Sequence, residues 1–192
     1  MYPKINVERL SGTELIMDEN GQTVSNVQDF WRWAYSNLIS NAERGALAEY
    51  IVACALDINH SVRTTWDRYD LLTEEGISIE VKTSGYLQTW EQSTFSKPVF
   101  GIQPTFGWNS ETNEYDLERR RQADVYVFCL HKHVDQDTIN PLLLEQWEFY
   151  VLSTSVLNEK FGAQKSATLS ALMKAGAKAC TYNELKDTVK NI

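Results

Sequence analysis

Three acidic residues and one lysine stand out by type and spacing. Asp70 precedes the segment Thr73-Glu74-Glu75-Gly76, Glu80-Val81-Lys82 follows it, and Glu49 lies upstream in an apolar run. Carboxylates gathered beside a lysine suit phosphodiester hydrolysis. The acids can hold a hard divalent cation, Mg2+ or Mn2+, that lowers the pKa of an attacking water and offsets charge on the phosphate. The lysine can orient or deprotonate that water, or stabilise the transition state.

The elements around these residues must place them together. Thr73-Glu74-Glu75-Gly76 fits a type I turn followed by a left-handed residue, the three-residue hairpin loop with a bulge at glycine. That loop pairs Thr73 with Ile77, so Asp70 is expected opposite Glu80 and Arg68 opposite Lys82, in strands over about 67–73 and 77–84. Side chains alternate along a strand, so Tyr69, Leu71, Ile77, Ile79 and Val81 collect on one face as a core surface. Arg68, Asp70, Ser78, Glu80 and Lys82 collect on the other, with Leu72 as the exception. A polar hairpin face is ordinarily just solvated, and Glu-x-Lys alone means little. Glu184-Leu185-Lys186 repeats it in a segment that reads as a capped helix, Thr181 and Glu184 forming the capping box.

Glu49 gives the hairpin its second wall. From Gly45 to Leu56 it is the only charged residue in a stretch apolar on nearly every side, which predicts a helix over 42–56 packed on more than one face. An unpaired carboxylate buried there costs several kcal/mol or takes up a proton, so Glu49 is expected to face a cleft, a cation or a basic partner such as Arg44.

A chain of 192 residues with 43% hydrophobic and 11% aromatic residues can bury a full core. Residues 1–192 read as one domain: a core over about 42–152, an amphipathic helix over 26–40 with Ser25 as N-cap, an insertion over about 85–122 and C-terminal helices over 155–190. Further strands are expected at about 98–103, 124–131 and 147–152, and residues 104–118 read as a polar loop. Helices before and after a mixed set of strands give an α/β class. No apolar run reaches membrane-spanning length and the start lacks a signal-like stretch, so no membrane partner and a cytoplasmic location are expected. The cysteines at 54, 129 and 180 are far apart and read as reduced thiols without metal-binding spacing. A net charge of −8 argues against a protein that coats nucleic acid by charge alone, though not against an enzyme whose acids hold cations.

The order helix-Glu49, strand-Asp70, turn, Glu80-Val81-Lys82 resembles the PD-(D/E)xK nuclease superfamily, over about residues 42–131. The Trp-rich first helix, Arg44-Gly45-x-x-Ala48-Glu49 and Tyr69-Asp70-Leu71-Leu72-Thr73 are similar to bacterial proteins of that superfamily. The resemblance implies a restriction-endonuclease-like central mixed β-sheet flanked by helices. It also implies a Mg2+- or Mn2+-dependent nuclease acting on nucleic acid, with DNA ahead of RNA. It places metal ligands at Asp70, Glu80 and the backbone carbonyl of Val81, the catalytic lysine at Lys82 and an assisting helix acid at Glu49. Tyr69 stands where many members have proline. Gln103 is a further candidate, because Gln recurs near the lysine in some branches.

The remaining candidates have ordinary explanations. Tyr86, Trp90 and Trp108 could stack on bases, yet most of the six Trp must serve packing. Arg119-Arg120-Arg121 could contact phosphate but reads as a solvated helix end, and His131-Lys132-His133 receives no role. Two alternatives to the nuclease remain: an inactive nucleic-acid-binding or interaction module on the same fold, and a metal-dependent hydrolase of another phosphoester. A two-fold homodimer is common among enzymes that cut both strands, but no interface can be read from the sequence.

Overall fold

The computed structural model describes residues 2, 5–64, 67–109 and 114–192. The chain opens with an antiparallel pair, β1 (Leu15–Met17) and β2 (Thr23–Asn26), then α1 (Val27–Tyr35) and α2 (Asn41–Ala55). Next come β3 (Leu71–Leu72), β4 (Ser78–Gly85), β5 (Val99–Gly101), β6 (Thr105–Asn109), β7 (Glu114–Arg120), β8 (Val125–His131) and β9 (Trp147–Ser153). The C-terminal part adds α3 (Thr154–Phe161), β10 (Ser166–Thr168), α4 (Leu169–Lys174), β11 (Lys178–Cys180) and α5 (Leu185–Lys190).

The fold is mixed α/β around a five-stranded sheet in the order β11-β9-β8-β4-β3. Only β4 and β8 run parallel; the other neighbours are antiparallel. Every residue of β8 is buried, since both faces of the sheet are covered, and its sequence is accordingly a continuous apolar run rather than an alternation. On one face Ile79, Val81, Val127 and Phe149 pack with Ala48, Ile51 and Val52 of α2 and Leu185 and Val189 of α5. On the other, Tyr126, Phe128, Tyr150 and Leu152 pack with Leu157 and Phe161 of α3, Leu172 of α4, and Phe100 and Ile102.

Local signals in the sequence survive folding. Gly76 has φ +86°, its amide donates to the Thr73 carbonyl at 3.0 Å, and the Thr73 amide donates to Ile77 at 3.0 Å. This is the expected turn, and it sets the expected register, Leu71 opposite Ile79 and Leu72 opposite Ser78. The Thr181–Glu184 capping box is present.

Other expectations need correction. The first helix ends at Tyr35, and Asn26, not Ser25, caps it by accepting from the Asp29 amide at 2.9 Å. Ser25 is instead a β2 residue paired with Ile16. The expected strand over 67–73 is ladder-paired only at Leu71–Leu72. Residues 104–118 are not a loop: β6 and β7 form a hairpin carrying the Trp108–Tyr115 cross-strand pair, rings 4.7 Å apart. Phe106 and Trp108 in β6 and Tyr115 and Leu117 in β7 do alternate with polar residues or glycine, but both β7 apolar side chains stay exposed, so the polar composition outweighed this strand pattern. Nor do the arginines end a helix. Arg119 lies over Phe106, and Arg121 is buried, donating to the Ile102 carbonyl at 2.8 Å, Asn158 Oδ1 at 2.6 Å and the Gly162 carbonyl at 2.9 Å.

The turn makes the first prediction. A Cβ at Gly76 would meet no atom within 4 Å, so Gly76→Ala suffers only from the left-handed backbone. It should cost about 1–2 kcal/mol in denaturant unfolding, with the β3–β4 register retained.

Candidate active site

Asp70 sits where the β3–β4 ladder stops. Its amide donates to the Ile79 carbonyl at 3.0 Å, and its Oδ2 accepts from the Val81 amide at 2.7 Å. The amide and carbonyl of one strand residue point to the same side. Because β3 begins only at Leu71, Val81 has no ladder partner on that side among the described residues. The Asp70 carboxylate satisfies the otherwise orphaned amide, and the Val81 carbonyl is left facing the same sheet edge. Asp70 is thus beside the strand residues it was expected to join, without a ladder pair to Glu80.

Glu80 and Lys82 share one side of β4, opposite the buried Ile79 and Val81, and form an ion pair with each other. Glu49 lies on α2 with its side chain 13% exposed. It pairs with Arg63 and not with Arg44: Arg63 Nη2 donates to Oε1 at 2.7 Å and Nε to Oε2. Arg44 is buried elsewhere, bonded to Asn41 Oδ1 at 2.6 Å and to the Leu87 carbonyl at 3.2 Å. Arg63 is the site residue that sequence reasoning missed. It lies in a polar loop with no periodicity, and only the tertiary fold brings it to Glu49.

The electrostatics tie these groups into one unit. Burial, then repulsion from Glu80, then from Glu49, push the Asp70 carboxyl up to about 7, against the opposing pull of the Val81 amide and Lys82. Burial works to lower the Lys82 pKa, but Glu80, Asp70 and Glu49 outweigh it and hold the ammonium above its ordinary value. The surrounding acids thus favour the charged form of Lys82. Beside it opens a cleft of about 680 Å3 whose wall includes Glu49, Asp70, Arg63, Trp31, Tyr50 and Leu72. Glu80 and Lys82 lie outside that wall, so Asp70 is the link between the cleft and the sheet pair. Among the described residues no three His, Cys, Asp or Glu side chains are gathered tightly enough to enclose an ion. Each candidate acid is turned instead to an internal donor: Asp70 to the Val81 amide, Glu80 to Lys82, Glu49 to Arg63.

Other candidates fall away from this cluster. Gln103 is exposed, beyond a strand that pairs with β10 rather than with the central sheet. Arg68 is not opposite Lys82; it points to Asp116, at 4.0 Å. Tyr69 packs with the Phe128 side of the sheet, not with the Ile79 side as the alternation implied, because the chain leaves the ladder before reaching it. Trp90 is exposed, and Tyr86 packs against the Phe128 side of the sheet. His131 is buried against Trp147, where burial and Arg44 lower its pKa to about 4.

The model of the bacteriophage T4 endonuclease IV family matches residues 2–171. The chain belongs to that family. This places Glu49, Asp70, Glu80 and Lys82 inside the matched region of an endonuclease family, and the β6–β7 hairpin with them. No curated protein matches the chain. Among the described residues of this endonuclease IV family member, no helix is long and apolar enough to cross a membrane.

The raised Asp70 carboxyl predicts a pH signature. An acid whose folded pKa lies above its unfolded value binds its proton more tightly in the native state, so stability falls as pH rises between the two values. For Asp70 that window runs from the ordinary 3.8 to about 7. In the absence of divalent ions, Asp70→Asn should remove this loss and unfold about 2 kcal/mol higher than the parent at pH 8, with no advantage at pH 4. Denaturant titrations across that range check it.

Proposed function

We propose that this endonuclease IV family member is a divalent-cation-dependent endonuclease that hydrolyses phosphodiester bonds in DNA. We further propose that it works from a single domain with a PD-(D/E)xK-type, restriction-endonuclease-like core. The observation that carries the reading is Asp70, a carboxylate crowded by Glu80 and Glu49 at a sheet edge whose hydrogen-bond partner, among the described residues, is the neutral Val81 amide. Such a cluster is under electrostatic strain that a hard cation relieves, and all its donors are oxygens of the kind Mg2+ or Mn2+ prefers. Residues suited to hold the ion are Asp70, Glu80 and the Val81 carbonyl, with Glu49 assisting from α2. A cation bound there would supply Lewis acidity toward the phosphate and lower the pKa of the attacking water.

The protein's own groups account for the rest. Lys82, kept charged by three acids, donates to a phosphate oxygen as negative charge develops there and orients the incoming water. The Val81 amide fixes the Asp70 carboxylate so that it need not reorganise during the reaction. The cleft beside Glu49 and Asp70 gives the nucleic acid an approach from the α2 side of the sheet edge.

Purified protein incubated with plasmid, linear duplex, single-stranded DNA and RNA in Mg2+ or Mn2+ tests the reading. Cleavage of DNA should stop with chelator and fall by on the order of a hundredfold or more in Lys82→Ala and in Glu80→Ala. Cleavage that persists in both variants, or that ignores chelator, refutes it, and absence of any cleavage with intact nucleic-acid binding favours an inactive binding module.

A further inference from the structure

The Glu49–Arg63 pair is unequal. Glu49 is fixed on α2 and only 13% exposed, whereas the Arg63 side chain is 48% exposed and reaches in from a loop. Arg63 engages both carboxylate oxygens in the forked geometry a guanidinium uses for carboxylate and for phosphate alike. Among the described residues it makes no other hydrogen bond; the charge of Asp70 is a weaker, unbonded attraction beside it. Arg9, the other arginine in the cleft wall, donates to the backbone carbonyls of Asn59 and His60. Arg44 and Arg121 are buried, and Arg120 is paired with Asp116. Arg68 is turned to Asp116, Arg32 is paired with Asp29 and Arg119 lies over Phe106, so Arg63 is the arginine bonded to one of the acids, through a partner it can exchange.

We propose that Arg63 is a phosphate-binding residue held in reserve on Glu49. The guanidinium neutralises Glu49 until that carboxylate is given over to a divalent cation. It then turns outward and binds a phosphate of the nucleic acid beside Asp70. This rests on the metal-dependent reading above. The exchange reverses the charge of the cleft: the acids repel a polyanion, and the freed guanidinium attracts it only after a cation has taken its place. Cation and nucleic acid consequently bind with positive coupling, each favouring the other. A simple surface ion pair, by contrast, would contribute little and couple nothing.

Fluorescence anisotropy of labelled single-stranded and duplex oligonucleotides tests this on the full chain, with chelator and with Ca2+ as the probe cation, alongside calorimetric Ca2+ titration. Wild type should bind nucleic acid about tenfold or more tighter in Ca2+ than in chelator. Glu49→Gln should bind about tenfold tighter than wild type in chelator, because Arg63 is free from the start, and the double variant with Arg63→Ala should lose that gain. Arg63→Ala alone should weaken nucleic-acid binding in Ca2+ about tenfold, lower the salt slope by about one, and leave Ca2+ affinity equal or tighter. Arg63→Lys should recover part of the loss. A gain in Glu49→Gln that survives in the double variant comes from charge removal alone and overturns the proposal. So does weaker Ca2+ binding in Arg63→Ala, which makes Arg63 a prop for Glu49. A wild type that binds no Ca2+ at all overturns the metal-dependent reading itself.

Discussion

One hydrogen bond organises the candidate site: the Asp70 carboxylate accepting from the Val81 amide at 2.7 Å. It exists because β3 is only two residues long. Had the strand continued, Asp70 would pair as a ladder residue and the Val81 carbonyl would be used inside the sheet. Instead the ladder stops, the Val81 amide is left on that edge, and the Asp70 carboxylate closes it. An unpaired amide at such a position costs about 1–3 kcal/mol, so the contact is a folding constraint as well as a positioning device. The turn upstream makes this termination reproducible. With Gly76 at φ +86° the register is pinned, and a slip by one residue would carry Glu80 and Lys82 into the core that Ile79 and Val81 occupy.

How much of this was legible in the sequence follows from the range of the interactions concerned. The turn, the β3–β4 register and the Thr181–Glu184 capping box rest on residues a few positions apart, and their types specify them. α2 was legible for another reason: a stretch apolar on all sides with one acid leaves few alternatives, and Ala48, Ile51 and Val52 are indeed core. Legibility fails where a distant element decides. Periodicity sends Tyr69 to the Ile79 face, but Tyr69 lies outside the ladder and joins the opposite core. β6 and β7 carry a short alternation of Phe106 and Trp108 and of Tyr115 and Leu117, but they pair with each other outside the central sheet, and the polar composition of the segment hid it. Arg121 looked like surface charge, yet three acceptors from Ile102, Asn158 and Gly162 make it a buried clamp between the β5 segment and α3.

The same division holds for the site. Glu49, Asp70, Glu80 and Lys82 are the candidates that types and order single out, and folding brings them near enough that Glu80 and Glu49 both raise the Asp70 carboxyl. Arg63 could not be named, since its place depends on how the loop after α2 returns across that helix. The sequence pattern thus carries the acids, which sit on regular elements, and omits the counter-charge, which sits on an irregular one.

That distribution of charge limits what the site can be. Two of its acids are matched by cations of the same chain, Glu80 by Lys82 and Glu49 by Arg63, and the third is matched by a neutral amide. The imbalance falls on Asp70, and its raised pKa is the local expression of it. If the cluster served only to stabilise the fold, replacing its ion pairs by apolar residues of similar shape would give as much or more stability, because burying charge is costly even when paired. A crowded acid at a sheet edge, next to a cleft, is a poor structural device.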